Sequence, residues 1–172
     1  MVDIREIRED DAEAVQNLAS DPAVTATTTL PSPYPPDGAR EFIQTMLPRR
    51  AEGTDFVFVL LAGEVIVGLC SLHGVGGSPR SAELGYWIGK PYWGRGYGSA
   101  GAAQVVRWSF DHLALDRLTA CCLERNVASA RILEGLGFKF LGKEPNTNPK
   151  WLPADVIVRY ELQREAWGQD NR

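Results

Sequence analysis

The chain is poor in the residues that mark several common chemistries. Among 172 residues there are two histidines, His73 and His112, and three cysteines. None of these falls at metal-ligand spacing, so no metal is expected. No G-x-x-x-x-G-K-[ST] string occurs, which excludes a Walker A loop. No apolar run approaches the roughly 20 residues of a membrane span. The opening Val2-Asp3-Ile4-Arg5-Glu6 carries no apolar signal region. Basic charge is not in excess either: 18 Lys and Arg stand against 22 Asp and Glu, a net charge of −4. A nucleic-acid partner is therefore not expected. These absences predict a cytoplasmic protein away from the membrane, with reduced thiols. Cys121 and Cys122, neighbours in an apolar and β-branched run, should point to opposite faces of a strand as core thiols.

What is present reads as one ordinary globular domain over residues 1–172. The hydrophobic fraction is 44% and the charged fraction 23%, and the length suffices for a core without staples. Residues 2–8 alternate as a strand, and Asp10 or Asp11 can cap a helix to about Ser20. A Thr- and Pro-rich loop follows over residues 21–36, with Tyr34 at its tip as a candidate wall of a substrate pocket. Asp37 can cap a second helix to about Arg50. Strands at 56–61 and 65–72 form a hairpin, and residues 74–79 read as a flexible turn. Then come a strand at 82–88, an amphipathic helix at about 99–112, a strand at 118–123 and a helix at 128–136. Strands at 138–142 and 156–162 close the chain. This order predicts an α/β (α+β) fold, a mixed sheet covered by helices.

The most informative stretch is Trp93-Gly94-Arg95-Gly96-Tyr97-Gly98-Ser99-Ala100. A glycine-rich turn between a strand and a helix leaves backbone N–H groups uncovered. It also aims the positive end of the helix dipole at one point, an arrangement that binds phosphate. A dinucleotide fingerprint would need G-x-G-x-x-G, but from Gly94 and Gly96 the third position holds Ser99. The preceding strand also alternates polar and apolar residues, unlike a parallel Rossmann core strand. A nicotinamide-dependent oxidoreductase is thus a remote alternative.

Arg95-Gly96-Tyr97-Gly98-Ser99-Ala100 has the form [QR]-x-x-G-x-[GA]. Downstream, the segment from Asn126 to Phe138 reads N-x-x-S-x-x-x-x-E-x-x-G-F, with Ser129 and Glu134 at its marked positions. Together these resemble the GNAT N-acetyltransferase superfamily, in the branch that acetylates ribosomal-protein N-termini. The likeness extends to the opening Ile4-Arg5-Glu6-Ile7 and the closing Val156-Ile157-Val158-Arg159-Tyr160. It implies a GNAT fold: a mixed, mostly antiparallel seven-stranded sheet with splayed central strands and about four helices. It implies acetyl-CoA as co-substrate, with Arg95, Gly96, Tyr97, Gly98, Ser99 and Ala100 around the pyrophosphate. Trp87, Ile88 and Asn126 would meet the pantetheine arm. Gly85 is read as a bulge, and Asn126 has helix capping as its competing role.

Direct acetyl transfer needs a base for the amine and a proton for the departing thiolate. Glu83, sharing a strand face with Gly85 and Trp87, is the candidate base, and Ser129 the candidate acid. The first turns of the helix after Asn126 carry no Tyr, so a Tyr acid from that helix is excluded. Glu134 reads as structural. Trp87, Tyr92, Trp93 and Trp151 are candidates to line the acceptor cleft. The acceptor implied is a primary amine, foremost a protein N-terminus such as that of a ribosomal protein. A small amine is an alternative, as is a non-catalytic acyl-CoA-binding module. A homodimer is left open.

Overall fold

The computed structural model describes residues 1–170. Its seven strands are β1 (Asp3–Glu6), β2 (Phe56–Ala62), β3 (Val65–Gly76), β4 (Ser81–Ile88), β5 (Arg117–Leu123), β6 (Lys139–Pro145) and β7 (Val156–Gln163). They lie side by side as β1-β2-β3-β4-β5-β7-β6, one sheet that is antiparallel except where β4 meets β5. Six α-helices are present among the described residues: α1 (Ala12–Ala19), α2 (Pro22–Thr25), α3 (Gly38–Ala51), α4 (Tyr97–His112), α5 (Val127–Gly135) and α6 (Arg164–Asp170). No helix among the described residues is long and apolar enough to cross a membrane.

The two faces of the sheet carry separate cores, as the period-two alternation of its strands demands. One holds Phe58, Leu60, Leu72, Leu84 and Leu118 with Val105, Val106 and Phe110 of α4 and Leu133 of α5. The other holds Val57, Val59 and Leu69 with Val15 of α1 and Ile43 of α3. Leu60, Leu72, Leu118 and Leu133 are fully buried, each stabilising the fold by about 1.5–3 kcal/mol relative to exposure.

Several local readings change in three dimensions. Neither Asp10 nor Asp11 caps α1; Asp11 instead accepts two bonds from Arg5, at 2.8 and 2.7 Å, and one from Arg8 N–H at 2.8 Å. The Pro-rich loop contains α2, started by Pro22 and capped by Asp21 accepting from Ala23 N–H at 2.8 Å. Strand β3 continues past Leu72 to Gly76 because Val75 is buried and its N–H is accepted by Thr54 at 2.8 Å. Gly85 is not a bulge. It stays in register opposite Ser71, and the irregularity falls between His73 and Gly76. Tyr34 packs against the α1/α3 core and over Gly38 rather than standing at a loop tip.

Candidate active site

The parallel ladder between β4 and β5 is short. It pairs Ser81 with Arg117, Ala82 with Leu118 and Glu83 with Thr119, and then stops. Beyond it, residues 84–88 of β4 stay paired only with β3, and residues 120–123 of β5 only with β7. Two strands held by opposite neighbours have diverged, leaving a gap in mid-sheet. The N–H of Gly89 is directed at Val67 of β3, 2.9 Å away. Alternation along the strand therefore turns the main-chain groups of Trp87 toward β3 and those of Ile88 into the gap. The Ile88 carbonyl accepts a bond from the Trp93 indole N–H at 2.7 Å.

At the end of the gap β4 runs into the glycine loop. Gly94 and Gly96 have φ of +72° and +75°, a left-handed conformation that costs an ordinary residue about 1–2 kcal/mol. Gly96 is the residue before α4. The first intrahelical bond of α4 runs from Ala100 N–H to the Gly96 carbonyl, 3.0 Å. The N–H groups of Tyr97, Gly98 and Ser99 precede it, so they are the donors a helix start leaves for a ligand. Nothing would meet a Cβ added at Gly96, so the loop is open above it. Gly98 differs: a Cβ there would lie 3.1 Å from Ile132 and 3.4 Å from Ile88. Its smallness seats α4 against α5 and β4. The Arg95 guanidinium lies over the Tyr92 ring at 5.9 Å.

Across the gap, Asn126 caps α5 by accepting from Ser129 N–H at 3.2 Å. The Tyr86 hydroxyl reaches over from β4 to the same turn. It lies 3.0 Å from Ser129 Oγ and donates to the Ser129 carbonyl at 3.1 Å. Burial pushes the Tyr86 phenol well above its ordinary value, only partly offset by its bond with Ser129. A tyrosine hydroxyl is thus delivered to this helix from a strand, although the helix start has no Tyr of its own. The clue was the two-residue period, which puts Tyr86 with Leu84 on the face covered by α4 and α5.

Glu83 stands on the other face at the point where the β4–β5 ladder ends, exposed. Its carboxylate accepts from the Cys121 thiol at 3.4 Å. Burial, reinforced by Glu83, pushes that thiol up to about 12. Cys122 points to the opposite core, and burial raises its thiol too. So the adjacent cysteines do face opposite ways. Glu134 accepts from the Tyr160 hydroxyl at 3.4 Å. Of the aromatic residues, Trp87 packs on the α1/α3 core and Tyr92 on the other, while Trp93 is half exposed.

A cavity of about 310 Å³ lies beyond the C-terminal end of β5, lined by Ala26, Ser32, Arg125, Lys150, Trp151 and Leu152. Arg125 is paired with Asp155 at 2.8 Å. The Lys150 ammonium donates to the carbonyls of Thr28, at 2.6 Å, and Leu30, and lies over the Trp151 ring. Desolvation lowers the Lys150 pKa.

This construction has known counterparts. The family model of the acetyltransferase (GNAT) domain matches residues 2–139. The chain belongs to the GNAT acetyltransferases. It is 27% identical over 168 residues to the N-acetyltransferase p20 of Bacillus licheniformis, covering 96% of this chain and 94% of that one. Its fold matches RimL, a ribosomal L7/L12 α-N-protein acetyltransferase in complex with coenzyme A, at a TM-score of 0.86, with 16% identity and coverage of 96% and 95%. It equally matches spermidine N-acetyltransferase from Vibrio cholerae in complex with coenzyme A and spermine, at 0.84, with 18% identity and coverage of 96% and 97%. This GNAT protein is therefore an N-acetyltransferase, with structural neighbours that act on two different kinds of amine.

Proposed function

We propose that this N-acetyltransferase takes acetyl-CoA as donor and acetylates the N-terminal amine of a protein, such as a ribosomal protein. The ladderless gap between β4 and β5, opening onto the start of α4, carries the donor assignment. A thioester arm lying in that gap meets the Ile88 main chain on one side and Asn126 on the other. The N–H groups of residues 97–99, with Arg95, Gly96 and Ala100 beside them, face its pyrophosphate. Trp87 contributes the packing that fixes the position of β4.

Acetyl-CoA supplies an activated carbonyl whose C–S bond breaks as the amine nitrogen bonds to carbon. Glu83, exposed where the strands part, is the base for the proton that the nitrogen sheds as the C–N bond forms, directly or through a water. Tyr86 and Ser129 hold a hydroxyl pair on the far side of the gap, placed to give a proton to the departing thiolate. The two proton-handling groups sit on opposite faces of the sheet, so acceptor and donor approach from different sides.

The acceptor assignment is supported by the charge of the cavity beyond the C-terminal end of β5. Arg125 is offset by Asp155, whereas the Lys150 ammonium is held by two carbonyls and an indole, none of which cancels its charge. A polyamine would bring several positive charges toward it, whereas a peptide N-terminus brings one. The test is free-thiol release from acetyl-CoA with an unblocked peptide beginning in Ala or Ser, against spermidine. Faster release with the peptide is expected. Turnover with spermidine alone would overturn the acceptor assignment.

A further inference from the structure

Three side chains on the acceptor face form a relay that the account of Glu83 does not use. Strand β3 carries Ser71 and His73 two residues apart, hence on one face. Asp55 immediately precedes β2, whose Phe56 pairs with Leu72, so the same register brings Asp55 beside His73. The Asp55 carboxylate lies 2.9 Å from His73 Nδ1, and His73 Nε2 lies 2.8 Å from Ser71 Oγ.

The order of donors in this chain is fixed by its buried end. Asp55 is 5% exposed. Burial opposes its ionisation, but bonds from His73 and Thr54 outweigh that and hold its pKa below the ordinary value. A carboxylate only accepts, so Nδ1 carries the proton. In the neutral ring Nε2 then accepts, and the Ser71 hydroxyl donates to it. Ser71 lies opposite Gly85 in the β3–β4 ladder, one strand from the gap, and a Cβ at position 85 would touch Ser71 Oγ at 3.4 Å. On that side Ser71 Oγ meets only the Gly85 carbonyl, at 3.4 Å, a longer contact than the 2.8 Å to His73 Nε2, and no side chain covers it from residue 85. Other charged groups near the imidazole are Glu83, its register partner on β4, and Arg49 at the end of α3, which acts on Asp55.

We propose that Ser71, His73 and Asp55 form the proton exit for the acceptor amine, an inference that rests on the acetyl-transfer reading above. The substrate ammonium gives a proton to Ser71 Oγ as the Ser71 hydroxyl proton passes to His73 Nε2. This leaves a neutral amine and an imidazolium paired with Asp55. The amine nitrogen then bonds to the thioester carbon and gives its second proton to Glu83, the C–S bond breaks and the thiolate is protonated from the Tyr86 and Ser129 side. The imidazolium returns its proton to water, since the His73 side chain is 40% exposed. Ser71 is the catalytic residue of the three, and His73 and Asp55 act through it.

Two measurements decide it. Nitrogen-15 NMR of the two histidines reads the tautomer without any acceptor. The Nδ1–H form of His73 is expected, and an Nε2–H form would overturn the relay, because Ser71 could not then pass its proton on. Second, turnover is compared for the parent, His73→Gln, Ser71→Ala and His73→Gly, using the peptide or spermidine as the parent accepts. His73→Gln should lose about 100-fold at pH 7 while keeping the parent's melting shift with acetyl-CoA. With the peptide the loss should narrow above about pH 8, where an N-terminal amine is already deprotonated, and with either acceptor imidazole should restore part of the rate of His73→Gly. Parental rates in His73→Gln and Ser71→Ala would overturn the relay. A parent with no acetyl-CoA shift contradicts the acetyl-transfer reading itself, and the relay falls with it.

Discussion

The Tyr86 hydroxyl of β4 lies 3.0 Å from Ser129 Oγ of α5, a bond between the two sides of the gap in the sheet. It ties β4 to the helix that follows β5, where the two strands no longer share a ladder, and it places a phenol where the donor's sulfur is expected to lie. Removing either partner has unequal consequences, because Tyr86 also donates to the Ser129 carbonyl at 3.1 Å.

Tyr86→Phe should therefore reduce turnover more than Ser129→Ala. In the serine variant the phenol keeps its carbonyl partner and its place. Each variant should cost about 1 kcal/mol of stability or less. Steady-state kinetics and thermal melts check this, and a larger rate loss in Ser129→Ala would make Ser129 the proton donor by itself.

Glu83→Gln should lower turnover and leave acetyl-CoA affinity nearly intact, since the side chain is exposed on the face away from α4 and α5. Rates of this variant set beside those of His73→Gln separate loss of the second nitrogen proton from loss of the ammonium proton. An unchanged rate in Glu83→Gln across the pH range would remove it as base.

The two loop glycines should fail in different ways. Gly98→Val pushes methyl groups into Ile132 and Ile88 and should destabilise the protein by about 1–3 kcal/mol through overpacking. Gly96→Val meets open space but must hold a φ near +75°, so its cost is conformational, about 1–2 kcal/mol. Gly96→Asn, which tolerates that region better, should melt close to the parent. Melting curves distinguish the three.

Acid should weaken the link between β1 and the start of α1. Burial raises the Asp11 pKa, but the bonds from Arg5 and Arg8 outweigh it, so the folded value lies below the ordinary 3.8. A lowered folded pKa adds stability that is complete above the unfolded value and is lost as pH falls through the folded one. Asp11→Asn should lose about 1.5–3 kcal/mol at pH 7 and show a shallower decline below pH 4. Denaturant titrations at several pH values test this.

Local pattern made some of this architecture legible in advance. The glycine spacing at residues 94–98 announced a turn into a helix, and the N-x-x-S spacing after β5 announced a capped one. The tertiary relations were not legible. Tyr86 and Ser129 are 43 positions apart, and their meeting depends on where the β4–β5 ladder ends. Residues 74–76 read as a turn, because their glycines outweigh Val75 until the bond to Thr54 is known. No local pattern marks Asp55, and only the β2–β3 register shows its partner. Helix α6 is short, and no strong periodicity marked it.

The central claim is that the gap between β4 and β5, with the start of α4, holds acetyl-CoA. The most direct test is the melting temperature with acetyl-CoA, with NAD and without ligand. At about 100 times its dissociation constant a ligand adds roughly 2.7 kcal/mol, about 5–10 °C for a chain of this size. A rise of that order with acetyl-CoA and none with NAD is predicted. No rise with acetyl-CoA, or a rise with NAD alone, would contradict it.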